Sequence, residues 1–454
     1  MVPIAERLGQ YAQSLQYEDL PQEVAHEVKR RLIDSLACVF GAYSAEPSKI
    51  ARQIAKSVRL PSGATILGTR HKTSPELATF ANGTMLRYLD YNDTYLSKEP
   101  AHPSDNIPAA LALAEAERRD GKEFIVSVVI GYEVQCRLAD AASLRARGWD
   151  HVTYGAFSSA CVASRLLRLS PDATKHAICL AGVANNALRQ TRVGTLSMWK
   201  ACAFANAARN GIFAAHLANQ GMTAPSEIFE GQFGFWNLVS GPFDLGPLGG
   251  QDKEPHRIIE TYIKFFPAEY HAQTAIEVAL ELRAELSSIE ELASIDIETF
   301  DACVDIIAGD PEKWRPMTRE TADHSLPYCV AVALMDGALT LESFSSQRIS
   351  DPRLRQLLQK IKVHRNAEFS AKYPEAMTCE MKFKLNSGKV IRARRSHARG
   401  HPKNPMTDAE VESKFRTLTA PVLPRSRANR ILKRLWHLED ISDIGSLVKM
   451  LVCR

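Results

Sequence analysis

Residues 199–219 read WKACAFANAARNGIFAAHLAN. Ala, Gly and other small residues run through the segment, and no proline interrupts it. Small side chains let one helix approach another closely, so the stretch predicts a helix inside a densely packed bundle. Residues 156–168 and 172–188 share its composition. Residues 107–118 (IPAALALAEAER) and 123–140 (EFIVSVVIGYEVQCRLAD) continue the helical pattern. Residues 21–43 open on Pro21, a favourable first-turn residue, and place Val24, Val28, Leu32, Leu36, Val39 and Phe40 at helical spacing.

The texture changes after residue 262. Residues 293–300 (ASIDIETF) alternate apolar and polar, the signature of a half-buried strand. In residues 377–395 (MTCEMKFKLNSGKVIRARR), Met377, Cys379, Met381, Phe383 and Leu385 share one face. Asn386-Ser387-Gly388 turns the chain back, so a β-hairpin is expected. Helix candidates at 270–287, 325–338 and 352–361 make this segment α+β. Residues 407–417 and 425–437 are helical again, and Thr407-x-x-Glu410 has the form of a capping box. The expected fold is mainly α with an inserted α+β domain: a helical domain over 1–262, an α+β domain over 263–398, and a return to the helical domain over 399–454. A chain of 454 residues exceeds what one core holds, which also predicts two domains.

Composition excludes several functions. The net charge of +4 is small for this length and gives no basis for nucleic-acid binding. No uninterrupted apolar run approaches membrane-spanning length. Glu6 and Arg7 fall where a signal peptide needs its apolar core, so a cytoplasmic protein is expected. No two of the nine cysteines stand in a C-x-x-C spacing, so neither a zinc ribbon nor an iron–sulfur cluster is expected. A P-loop, a G-x-G-x-x-G after a strand, an H-E-x-x-H and a G-x-S-x-G are all missing, which speaks against nucleotide cofactors and common hydrolase chemistry. No metal or cofactor is expected.

Chemistry-bearing residues gather in 89–106, LDYNDTYLSKEPAHPSDN. Asp90, Asp93, Thr94, His102, Ser104 and Asp105 crowd a non-periodic stretch, and Pro100 and Pro103 oppose helix on either side of His102. Polar groups between apolar helices must be satisfied or used. Caps and turn hydrogen bonds are the competing account. His151 stands in GWDHVTYG, and Lys200 just before the small-residue helix. Lys264 lies between Tyr262-Ile263 and Phe265-Phe266, either snorkelling to solvent or binding an anion. Pro267, in the same segment, would start a helix. In DHSLPY, Asp323 serves as a helix N-cap or His324 and Tyr328 carry function. The loop SHARGHPKNP holds His397, Arg399 and His401, as a solvated basic turn would.

Together LDYNDT (89–94), HPSDN (102–106), GWDHV (148–152), FPAEYHAQTA (266–275), DHSLPYCVAVALMDG (323–337) and GHPKNP (400–405) resemble the MmgE/PrpD family over nearly the whole chain. The resemblance implies a large helical bundle domain with a smaller α+β lid domain, a homodimer, and a site between the domains. It implies Asp90, His102 and Tyr328 as catalytic residues and Thr94, His151, Lys200 and Lys264 as substrate-binding ones. The implied activity is a metal-independent hydro-lyase acting on 2-methylcitrate or citrate. The length of the Thr94–His102 loop and the FPAEYHAQT and GWDHV segments lean that way. Decarboxylation of cis-aconitate or epimerisation of an iminodisuccinate-type substrate are the alternatives within the family, and a catalytically silent binding protein is the alternative outside enzymology. His102 and Asp90 are the expected acid/base pair, with Tyr328 as a second proton donor and the two lysines on the carboxylates of a small tri- or dicarboxylate.

Overall fold

The computed structural model describes residues 2–453. The chain forms two compact units. One comprises Met1–Arg192, Met198–Thr261 and Thr407–Arg454, the other Val193–Ser197 and Tyr262–Met406.

The first unit is helical. Trp199–Asn219 runs through it and packs on Pro75–Tyr88, Thr153–Leu166 and Pro171–Ala184. These helices meet almost backbone to backbone. A Cβ added at Gly83 would lie 2.9 Å from the Ala205 Cβ, and one at Gly211 would lie 2.9 Å from the Ala156 carbonyl oxygen. A glycine within a helix costs about 1 kcal/mol relative to alanine, a cost that close packing offsets here. Side-chain caps set the helix starts. Ser74 accepts from the Leu77 N–H ahead of Pro75, and Asp120 accepts from the Glu123 N–H ahead of Gly121–Ala141. The expected capping box at Thr407 and Glu410 opens Asp408–Thr419. That helix lies along Gln22–Gly41, and a buried ion pair, Lys414 Nζ to Asp34 Oδ1 at 2.6 Å, joins the two. The helical pattern at 172–188 overran its helix, which ends at Ala184.

The first unit adds one short antiparallel pair, β1 at Ala64–Thr65 and β2 at Lys72–Thr73, and the second unit carries a four-stranded mixed sheet in the order β4-β3-β5-β6, where β3 is Leu292–Thr299, β4 Ile361–Arg365, β5 Cys379–Leu385 and β6 Val390–Arg395. β5 and β6 form the expected hairpin, with Gly388 left-handed at φ 86° in its turn. β4 pairs parallel with β3 and was not foreseen: IKVHR buries only Ile361 and shows no full alternation. Helices Gln273–Arg283 and Leu326–Asp336 pack together, and the first of them also covers β5 and β6.

Three local expectations are corrected. Pro267 starts no helix; Gln273–Arg283 follows a 3-10 turn at Tyr270–Ala272, whose first free N–H, that of His271, is taken by the Glu269 carboxylate at 2.8 Å. Ser325, not Asp323, caps Leu326–Asp336, because its hydroxyl accepts from the Tyr328 N–H. The His397–His401 loop is not a solvated turn. His401 is buried and stacks on Tyr262 with ring centroids 4.9 Å apart. Burial, with lesser help from His397 and Lys403, pushes its imidazole down to about 4.

Eight of the nine cysteines are buried and none forms a disulfide, as expected of small apolar side chains. Among the described residues no helix is long and apolar enough to cross a membrane.

Candidate active site

Helix Pro75–Tyr88 ends at a left-handed residue, Asp90, with φ 50°. The loop that follows folds on itself. Tyr95 and Ala101 exchange two backbone hydrogen bonds, of 2.9 and 2.8 Å. Below them the buried Glu99 carboxylate accepts from the backbone N–H groups of Leu144 at 2.7 Å and Arg145 at 3.1 Å. This pinning orders a stretch that carries no periodic signal, and it delivers His102 to the start of the 3-10 turn Pro103–Asn106.

His102 is 9% exposed, and both its nitrogens are engaged. Arg87 Nη2 lies 2.8 Å from Nε2. Nδ1 is 2.7 Å from the Asp93 carbonyl oxygen and 2.9 Å from Thr94 Oγ1. A guanidinium only donates and a carbonyl only accepts, so Nε2 carries the lone pair and Nδ1 the proton. Arg87 also pairs with Asp90 Oδ1 through a short contact and approaches Asp105 Oδ2 at 3.8 Å. Asp93 is spent on structure: it accepts from Tyr132 Oη at 2.6 Å and from the Ser104 N–H at 3.1 Å.

Lys200, in the first turn of Trp199–Asn219, is buried with Nζ 3.9 Å from Asp90 Oδ2. His151 is 8% exposed, and its ring centroid lies 5.7 Å from that of His102, edge to face. Its Nδ1 is 2.9 Å from Asp150 Oδ1, and Asp150 Oδ2 takes the Arg192 Nε–H at 2.9 Å. Burial would raise the Asp150 carboxyl, but Arg192 and His151 outweigh it and hold the group far below the usual carboxylate range. His151 Nε2 is buried without a hydrogen-bond partner among the described residues.

Asp105 accepts from Asn92 Nδ2 at 3.0 Å, while its Oδ2 is buried with no hydrogen-bond partner among the described residues. Burial pushes its carboxyl up to about 7; Arg87 opposes the shift and Asp93 adds to it. The sign for stability follows. An acid whose folded pKa is raised costs nothing below the unfolded value of 3.8 and progressively more as pH rises to about 7. Asp105→Asn keeps the Oδ1 acceptor and removes the titration. Its stability relative to wild type should be flat below about pH 4, climb to pH 7 and level off, by on the order of 4 kcal/mol. Urea melts from pH 4 to 8 check this; a difference that does not change with pH would refute it.

The other two expected site residues belong to the second unit. Lys264 is 1% exposed, so its ammonium does not reach solvent and the snorkelling account is corrected. It acts on a half-buried carboxyl, that of Glu269. Burial would raise that group, but His271, His324 and Lys264 bring it down to about 2. Tyr328 is buried in the first turn of its helix. Its hydroxyl donates to the Ser343 carbonyl at 2.6 Å, and burial holds the phenol well above its ordinary range. In the free protein this hydrogen bond engages the phenol proton and anchors the start of the helix.

The first unit thus gathers Asp90, Thr94, His102, His151 and Lys200 with Asp105 of the same polar stretch, together with Arg87, Asp150 and Arg192, for which the sequence suggested no role. Arg87 lies just before the polar stretch 89–106, and Arg192 in a segment with no motif. Asp150 is adjacent to His151 in GWDHV, and that adjacency is the signal that could have found it. Among the described residues no three His, Cys, Asp or Glu side chains form a metal-binding group.

Residues 6–248 match the MmgE/PrpD N-terminal domain, and residues 266–438 the MmgE/PrpD C-terminal domain. The chain belongs to the MmgE/PrpD family. Among MmgE/PrpD relatives it is similar to the 2-methylcitrate dehydratase of Cupriavidus necator, 30% identical over 367 residues that span 76% of this chain and 74% of that protein. It is also similar to the 2-methylcitrate dehydratase of Salmonella typhimurium, 29% identical over 456 residues, 91% of this chain and 90% of that one. The cis-aconitate decarboxylase of Mus musculus is 26% identical over 472 residues, 99% of this chain and 93% of the mouse protein.

Proposed function

We propose that this chain is a hydro-lyase that removes water from 2-methylcitrate or citrate by side-chain acid–base catalysis, without a metal ion. One observation carries the reading: two imidazoles 5.7 Å apart, buried beside the cations Arg87 and Lys200 and the carboxylate of Asp90. Dehydration breaks a C–H bond next to a carboxylate and a C–O bond on the neighbouring carbon. A base takes the carbon proton, the hydroxyl leaves as water after gaining a proton, and a C=C bond forms. Imidazoles suit both transfers near neutral pH. Lys200 supplies a positive charge at a helix N-terminus, where the helix dipole also favours an anion, so a substrate carboxylate gains from both. Lys264 keeps a carboxylate-binding role in this reading on the family resemblance alone. The relatives named 2-methylcitrate dehydratase support the substrate.

A second reading, decarboxylation of cis-aconitate, is favoured by the mouse relative, which aligns with 99% of the chain. Both reactions pass through charge next to a carboxylate, so the same lysines serve either. Purified protein given 2-methylcitrate, citrate and cis-aconitate together, with chelator present, and followed by NMR separates them. Dehydrated product should dominate, and turnover should be unchanged by the chelator. Release of CO₂ as the main outcome would replace dehydration by decarboxylation. Activity lost to the chelator and restored by a metal ion would overturn metal independence.

A further inference from the structure

We propose that His151, not His102, is the general base of this site, and that Asp150, clamped by Arg192, is the positioning residue that makes it one. The proposal rests on the lyase reading above and assigns the direction of proton transfer within it.

The two histidines differ in what their ring nitrogens are free to do. On His102 the Nε2 lone pair receives the Arg87 guanidinium at 2.8 Å, and the Nδ1 proton faces the Asp93 carbonyl at 2.7 Å. A proton arriving at Nε2 would displace Arg87 and leave an imidazolium against a guanidinium. His102 is therefore a fixed partner of Arg87, and through it of Asp90. On His151 the acceptor stands on the other side. Asp150 Oδ1, 2.9 Å from Nδ1, can only accept, so Nδ1 carries the proton and Nε2 the lone pair. That Nε2 is buried and has no hydrogen-bond partner among the described residues. A buried acceptor left open is costly, and a site that accepts a proton is the use that offsets it.

The second carboxylate oxygen explains why Asp150 stays ionised in a buried place. Arg192 Nε donates to Oδ2 at 2.9 Å, and the Val152 N–H donates to Oδ1 at 3.3 Å. The carboxylate is thus fixed in direction and charge, and it stabilises the imidazolium that forms once Nε2 has taken the carbon proton. Asp150 is the charged group facing His151, with the His102 imidazole across the ring contact; Arg192 acts on it through Asp150. In the reaction the substrate C–H electron pair becomes part of the new C=C bond, and its proton comes to rest on Nε2. The hydroxyl departs as water from the adjacent carbon, taking its proton from a different group. The shape of the arrangement, carboxylate to imidazole to open nitrogen, is that of general bases in unrelated enzymes.

The experiment has two arms. In the first, imidazole ¹⁵N spectra of the full-length protein, assigned with His151→Gln, read the tautomer without any substrate. Neutral His151 should show the proton on Nδ1, and Asp150→Asn should shift the population toward Nε2–H. In the second, His151→Gln should lower kcat by about 10²–10⁴-fold with KM changed far less. Asp150→Asn, whose amide oxygen can turn to accept from Arg192 while its NH2 faces His151 Nδ1, should lower kcat at least about tenfold and move the acid limb of the kcat/KM profile to lower pH, because the charge favouring imidazolium is gone. Arg192→Gln should act in the same direction but less, and Arg192→Lys should restore part of the loss. An Nε2–H tautomer in the wild type, or a His151→Gln enzyme within tenfold of wild-type kcat, overturns the proposal. Should no tricarboxylate turn over at all, the lyase reading fails, and the spectra alone then decide whether Asp150 sets the tautomer.

Discussion

Lys200→Ala should raise KM for a tricarboxylate substrate by roughly 30- to 5,000-fold, the equivalent of about 2–5 kcal/mol for truncating one partner of a buried, hydrogen-bonded charge pair. Lys200 is buried at the N-terminus of Trp199–Asn219, where the free N–H groups and the ammonium point toward the same kind of ligand. In the free protein Asp90 Oδ2 lies 3.9 Å from that ammonium, so the lysine is held at the helix start by a carboxylate of the same charge as the substrate's. Two controls sharpen the expectation. The loss should shrink for an otherwise similar substrate that lacks one carboxylate. Lys200→Arg should restore little, because a planar fork does not replace a compact ammonium in a closed space. Steady-state kinetics on both substrates, with a thermal melt for each variant, checks this. An unchanged KM beside a lowered melting point would make Lys200 a structural residue.

Asp90→Ala should destabilise the protein by about 3–5 kcal/mol from charge alone, because it strips a carboxylate from two buried cations, Arg87 and Lys200. A backbone term adds to this. Asp90 is left-handed at φ 50°, where alanine pays roughly 1–2 kcal/mol and asparagine much less. Asp90→Asn should therefore be the milder variant. The gap between the two combines the backbone term with the Arg87 hydrogen bond that asparagine can keep, and the loss in asparagine measures the charge. Urea unfolding of wild type and both variants at neutral pH gives these differences. Equal losses for alanine and asparagine would refute the backbone share, and losses under 1 kcal/mol for both would refute the charge share.

What sequence could foretell depended on whether the signal was local. Helices with small-residue faces and side-chain caps were legible because period and cap lie within one segment, as at Trp199–Asn219 and at Thr407 with Glu410. The hairpin was legible for the same reason, from its alternating Cys379, Met381 and Phe383 and the turn at Gly388. β4 was not, because its existence depends on a parallel partner more than sixty residues earlier. At the site, a dense polar loop announced Asp90, Thr94 and His102. Which nitrogen of His102 is occupied depends on Arg87, fifteen residues away and on another element. Lys264 shows the limit most plainly. A lysine among aromatics is equally compatible with a buried ammonium and a solvated one, and only the packing around it decides.

The glycine and alanine seam along Trp199–Asn219 has a consequence for anyone altering what this protein accepts. Helices held apart by leucine can absorb an added methyl group through a rotamer change; helices touching at Gly83, Gly211 and Ala205 have no such slack. Enlarging Gly211 would push the helix bodily away from Thr153–Leu166 and carry Lys200 with it, from eleven residues or roughly 16 Å along the axis. Substrate range is thus adjustable from positions that touch no ligand. A library restricted to residues lining the site would miss the variables that set the spacing between its charges.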